Sequence, residues 1–245
     1  MRARMSGITV TEENGVRFLR FGTQWVQGSM KIADPYAIDL EYVQQMMMWT
    51  LFNATPQHIV QLGLGAGALT KFCHRHFATA KVTAIELDAA VIAACRSQFF
   101  LLSDDERLRV LQMDAMAFVQ DVQNHGTVDV LQVDLYDAQA RGPVYESPAF
   151  YQACADCLAP HGILTVNLFC DAPDHGKNLE AMEAGFGAIA WLPEVHDGNV
   201  VAIGFKTAPS IDFTDLYQRA AMIRATLGLP AESWVDGLQS WMQGT

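Results

Sequence analysis

The residues able to do chemistry in this 245-residue chain stand at the ends of short apolar runs. His58 to Leu62 reads as a buried strand, and it leads into Gly63-Leu64-Gly65-Ala66-Gly67 and then a helical pattern. Glycines there permit a sharp turn, close approach of the backbone to a ligand, and tight helix–strand packing. The helix start adds unbonded N–H groups. Gly63, Gly65 and Gly67 are therefore candidate binding residues for a nucleotide-like ligand. Glu86 ends the next strand pattern, about 20 residues after Gly65, where an acid accepts from two ribose hydroxyls. Asp88 precedes a helical run and suits an N-cap, which leaves Glu86 for the ligand.

Two further strand ends carry acids. Asp114 follows Leu108 to Gln112, and it either accepts from an adenine amino group or caps the helix that begins at Ala115. Its convergence on the same crevice favours the ligand. Asp134 directly follows Val128 to Val133, a nearly all-apolar run, at a point where nothing local demands a carboxylate. With Asp137 it forms a pair suited to proton abstraction or to holding a cation, although aspartates also serve turns. Gly63, Gly65 and Ala68 fit the dinucleotide variant G-x-G-x-x-A as well. Three acidic strand tips suit a single nucleoside better than a pyrophosphate.

Such tips need a scaffold that brings several strand ends to one crevice. From residue 56 to 207, strand-length apolar runs alternate with helical patterns. The strands are expected at His58 to Leu62, Lys81 to Glu86, Leu108 to Gln112, Val128 to Val133, Ile163 to Phe169, Ala188 to Pro193 and Val200 to Lys206. This alternation predicts an α/β fold with a Rossmann-like doubly wound sheet. Ahead of it, Ile8 to Val10, Val16 to Phe21 and Gln24 to Met30 predict a small antiparallel meander, and the spacing over Tyr36 to Phe52 predicts a helix. Three regions are expected: residues 1–50, the β-rich start and connecting helix; 51–207, the nucleoside-binding domain; and 208–245, helices packed on it.

Hydrophobic residues make up 51% of the chain, enough for one substantial core. A net charge of −11 argues against a nucleic-acid partner, because too few Lys and Arg are present to displace counterions. No run of about 18 apolar residues occurs, so no membrane partner is expected. Five cysteines in apolar segments suit a reducing compartment, and a soluble cytoplasmic protein is expected. Cys154-x-x-Cys157 falls inside a helical pattern without a second pair, and reads as core rather than as a metal site.

From about Gln27 to Phe205 the chain resembles the spermidine synthase family, the polyamine aminopropyltransferases. The segments that carry the resemblance are Gln61 to Gly67, Ala84 to Asp88, Met113 to Phe118 and Val133 to Ala138, followed by Gly142-Pro143, Ala149 to Tyr151 and Gly162 to Leu164. The resemblance implies a class I methyltransferase-like sheet and aminopropyl transfer from decarboxylated S-adenosylmethionine to a polyamine-type amine, with methylthioadenosine released and no metal required. It implies that Glu86 binds ribose, Asp114 adenine, and Gln27 the nucleoside from above. Asp134 would take the proton of the attacking amine, Asp137 would help to hold the polyamine, and the protein would be a homodimer. Where the family's glycine turn has an aspartate for the donor's amine, this chain has Ala66. Gln45, Tyr136 and Ala138 also depart from the family's segments. These departures leave two alternatives open: a methyltransferase using intact S-adenosylmethionine, and a non-catalytic nucleoside-binding protein of the same fold.

Overall fold

The computed structural model describes residues 7–137, 142, 144–169, 175–194 and 198–244. Ala138, Pro143 and Cys170 lie outside the described residues. The chain starts with the expected meander. Strands β1 (Ile8–Glu13) and β2 (Val16–Phe21) pair antiparallel around Asn14-Gly15, and β3 (Val26–Lys31) follows on the other side of β2. Leu19 pairs with Gly28 while Arg20 pairs with Val26, so Gln27 is the extra residue of a bulge in β3. A bulge bends its strand and re-aims a side chain.

The helix expected over Tyr36 to Phe52 is shorter and broken. Helix α1 covers Glu41–Gln45, and a 3₁₀ turn covers Met48–Leu51. The reason lies in the main sheet. The carbonyl of Met46 accepts from Gln132 Nε2 at 3.0 Å and from Thr165 Oγ1 at 3.1 Å, while Thr50 N bonds the carbonyl of Met47 instead. Two buried sheet side chains thus take the carbonyl that a continuous helix would use.

The main sheet then alternates with helices as expected. β4 (His58–Leu62) leads to α2 (Ala68–His76), β5 (Lys81–Glu86) to α3 (Ala89–Gln98), and β6 (Leu108–Gln112) to α4 (Ala115–Gln120). β7 (Val128–Val133) leads to α5 (Pro148–Cys157) and β8 (Leu158–Phe169) to α6 (His175–Glu183). β9 (Ala188–Trp191), β10 (Asn199–Phe205), α7 (Phe213–Leu227) and α8 (Ala231–Gln243) complete the chain. The strand order is β6-β5-β4-β7-β8-β10-β9, parallel from β6 to β8, with β10 antiparallel to both neighbours. The sheet is therefore mixed at one edge, the variation that separates a methyltransferase-like sheet from an all-parallel one. β4 lies between β5 and β7, so the order reverses there and a crevice opens at the carboxyl ends of those strands.

Both sheet faces are covered. On one, Ile59, Val130, Ile163 and Ile203 meet Met46, Trp49, Phe72 and Trp234. On the other, Val60, Leu131 and Leu164 meet Phe118, Phe150, Tyr151 and Met182. Cys154 and Cys157 are buried in this second core, and burial holds both thiols above the usual range, Cys157 at about 11. No helix among the described residues is long and apolar enough to cross a membrane.

Candidate active site

β4 ends at the switch point, and the turn after it is held from three sides. Gly63 has φ +96°, and a Cβ there would lie 2.1 Å from the carbonyl oxygen of Asp134. Gly65 has φ +51°, and a Cβ there would lie 2.9 Å from the carbonyl oxygen of Gln27 in the β3 bulge. Below the turn, the Cys95 thiol donates to the Gly65 carbonyl at 3.0 Å, and burial raises that thiol to about 12. Gly67 is the N-cap residue of α2, with no side-chain cap on the first turn. The turn is a backbone cradle in which side chains at 63 and 65 have no room.

Glu86, at the end of β5, is part of this cradle. One carboxylate oxygen accepts from Leu64 N at 3.2 Å and the other from Asp88 N at 2.9 Å. Burial raises its pKa, and the N–H groups of Asp88, Leu64 and Leu87 pull it back. An ionised carboxylate has about four lone-pair sites, so the group keeps capacity for a further donor. Asp88 caps α3 through Ala90 N, as its position implies.

Asp114 caps α4 through Met116 N at 2.8 Å, and it also accepts the Tyr145 hydroxyl at 2.9 and 3.0 Å. The capping alternative is thus realised, and Tyr145 adds a partner that no local pattern signals.

Asp134 stands just past β7, and its N–H bonds Leu62 O at 2.9 Å. Its side chain accepts from Asn167 Nδ2 at 2.9 Å, and the Tyr42 hydroxyl lies 3.5 Å from the other oxygen. Asn199 Nδ2 in turn donates to Asn167 Oδ1 at 2.9 Å, and Tyr136 OH donates to the Asn167 carbonyl at 2.7 Å. Burial holds the Asp134 pKa above the usual carboxylate range, against the pull of Asn167 and Tyr42. A carboxylate held in one orientation, with its proton affinity raised, is suited to general-base work.

Gln27, Gly63, Gly65 and Asp134 line one cleft together with Ser29, Asp39, Tyr42 and Ala66; it encloses about 400 Å³, counting space open to solvent. Gly67, Glu86, Asp114 and Asp137 do not line it. Glu86 joins it through Leu64, whereas Asp114 lies at the next strand end and Asp137 in the connection toward α5. Gln27 Nε2 is buried and has no partner, an orphan donor at the roof of the cradle. An unmet buried donor costs free energy, and a ligand acceptor would remove that cost. Sequence reasoning misses Tyr42, Asn167 and Asn199. Asn167 has a signal, because it interrupts the apolar run Ile163 to Phe169. Among the described residues, no group of three or more His, Cys, Asp or Glu is gathered as a metal site.

A glycine cradle at the switch point, acids at three successive strand ends and an antiparallel β10 define a Rossmann-type protein of the methyltransferase-like class. The model of the spermine/spermidine synthase domain matches residues 40–171, more than half of the chain. The chain therefore belongs to the spermine/spermidine synthase family. It is 29% identical over 236 residues to a polyamine aminopropyltransferase of Neisseria meningitidis, covering 95% of this chain and 89% of that protein. A probable spermidine synthase from Corynebacterium glutamicum has the same fold, with a TM-score of 0.74, 18% identity, and coverage of 94% and 91%. Human methyltransferase-like protein 13 in complex with SAH gives a TM-score of 0.68 at 22% identity, covering 78% of this chain and 93% of that one.

Proposed function

We propose that the protein is an aminopropyltransferase that moves the propylamine group of decarboxylated S-adenosylmethionine to an amine of the polyamine type. The observation that carries this reading is Asp134, fixed by Asn167 and Tyr42 in the cleft beside the glycine cradle. The acceptor nitrogen attacks the propyl carbon bonded to sulfur. The carbon–sulfur bond breaks, its electron pair returns to sulfur, and neutral methylthioadenosine leaves. Asp134 takes the proton lost by the nitrogen, and Asp137, three residues on, helps to hold the acceptor amine. Glu86 holds the ribose, Asp114 the adenine, and the orphan Gln27 Nε2 meets the nucleoside from above. Orientation of two bound reactants supplies much of the rate.

The test is to incubate the protein with the decarboxylated donor and a panel of di- and polyamines and to assay methylthioadenosine. No release with any amine, alongside methyl transfer from intact S-adenosylmethionine, would sink the proposal. Methyl transfer is the second reading, and Ala66 favours it. With no carboxylate at that position, nothing in the turn repels the carboxylate of an intact methionine tail.

A pH effect follows from the same geometry. In Asn167→Leu, Asp134 loses a hydrogen bond that favours its charged form, so its pKa rises further. The base must be ionised to act. The acidic limb of kcat/KM is therefore expected to move toward higher pH, with activity retained on the alkaline side. An unmoved limb would mean that Asn167 does not tune this carboxylate.

A cytoplasmic homodimer belongs to the same proposal. Trp25 and Val26 at the start of β3 and Ile32 just past its end are exposed apolar residues, and light scattering of the purified protein distinguishes dimer from monomer.

A further inference from the structure

We infer, resting on the aminopropyl-transfer reading above, that Asp39 receives the terminal ammonium of the donor's propylamine chain. Two cations or incipient cations enter one cleft in that reaction. The acceptor amine gives up a proton as it attacks, whereas the donor's own amine stays charged throughout. A charge taken into a cleft needs a partner. Among the described residues the cleft is lined by two carboxylates, Asp39 and Asp134. Asp134 has to be available to the acceptor's proton, which leaves Asp39 for the donor.

Asp39 is built for that contact. Its Oδ2 accepts from Ser29 Oγ at 2.7 Å, and Ser29 is 3% exposed, so the carboxylate is fixed from the protein side. Its Oδ1 faces Lys31 Nζ at 3.4 Å, on a side chain that is half exposed. Ion pairs of that kind are weak, and an ammonium entering the cleft can displace or share this one. The glycine turn supplies no acid of its own. Ala66 is 2% exposed because β3 closes on it, and a Cβ on Gly28 would come within 2.7 Å of the Ala66 Cβ and backbone nitrogen. The close approach of Gly28 to Ala66 carries the next residue of β3, Ser29, to Asp39.

The test uses two inert thioethers, so it does not depend on turnover: decarboxylated S-adenosylhomocysteine, which carries the propylamine, and methylthioadenosine, which does not. Calorimetric titration of the full chain with each is expected to show tighter binding of the propylamine probe. Asp39→Asn is expected to weaken that probe about tenfold or more, the usual scale of a charge-assisted contact, and to change methylthioadenosine binding less than about twofold. Lys31→Gln is expected to leave the propylamine probe as tight as before or tighter. Equal losses for both probes in Asp39→Asn would mean a structural role, and no loss would mean no role; either outcome overturns the inference. If Asp39→Asn does not fold, Ser29→Ala keeps the carboxylate but frees it, and is expected to lose about threefold on the propylamine probe alone. Unchanged discrimination in that protein overturns the inference too. A wild type that binds the probes as described but releases no methylthioadenosine from the decarboxylated donor would end the proposed reaction and leave the Asp39 assignment standing.

Discussion

Asp134→Asn is expected to lower kcat by about 10²- to 10⁴-fold, the range a positioned general base contributes. Binding of methylthioadenosine is expected to change less than about twofold, because the amide is nearly isosteric and Asn167 Nδ2 can still donate to its oxygen. The variant is also expected to fold at least as well as the wild type. Burial raises the Asp134 pKa above its unfolded value. Protonation therefore favours the folded protein, and that advantage is lost as pH rises through the folded pKa. At neutral pH the charge is a cost that the amide removes, so the melting temperature of Asp134→Asn should equal or exceed that of the wild type. The difference should shrink as pH falls through the folded pKa and be gone below the unfolded carboxylate value. A kcat–pH series with parallel melting curves checks both parts. Undiminished kcat would remove Asp134 as the base, and a markedly lowered melting temperature at neutral pH would show that the carboxylate is held for structure.

The parts of this site that local sequence makes visible are those set by strand ends. A buried parallel strand reads as a continuous apolar run, so a glycine or an acid directly after it stands out. Gly63, Glu86 and Asp134 are legible in the chain for that reason. The side chains that hold Asp134 come from elsewhere, and long-range contacts decide them. Tyr42 falls in a segment whose spacing suggests one helix. Gln132 and Thr165, 86 and 119 residues away from Met46, capture the Met46 carbonyl and interrupt it. Asn199 reaches Asn167 only because β10 runs antiparallel to β8, and no periodicity reports strand direction. Gln27 enters the cleft from a bulge that depends on the pairing of β2 with β3. Asp114 shows a different limit. Helix capping and ligand contact ask for the same atoms at the same position, so residue type and place cannot separate them. Where a hydrogen bond is local, sequence shows it; where two elements must first meet, it does not.

Gly63→Ala should destabilise the fold by about 3 kcal/mol or more and abolish binding of methylthioadenosine, for two reasons that can be separated. The backbone there has φ +96°, which strains any residue with a side chain, and the new Cβ would stand 2.1 Å from the Asp134 carbonyl oxygen. No real contact is that short, so the turn or the end of β7 would have to move. Neither is free. Gly63 N bonds Ile85 O, and Asp134 N bonds Leu62 O, each at 2.9 Å. The obstructing atom is backbone and cannot rotate away. Gly15→Ala supplies the control, with φ +77° but nothing within 4 Å of the added Cβ. Its expected cost is the conformational term alone, about 1 to 2 kcal/mol. Denaturant midpoints for the two variants, with calorimetry on methylthioadenosine, separate strain from collision. Equal losses of stability in both would mean that β7 yields easily at its end. The larger loss in Gly63→Ala follows if the nucleoside cradle and the backbone that presents Asp134 are a single packed unit, in which a change at the turn must displace the base as well.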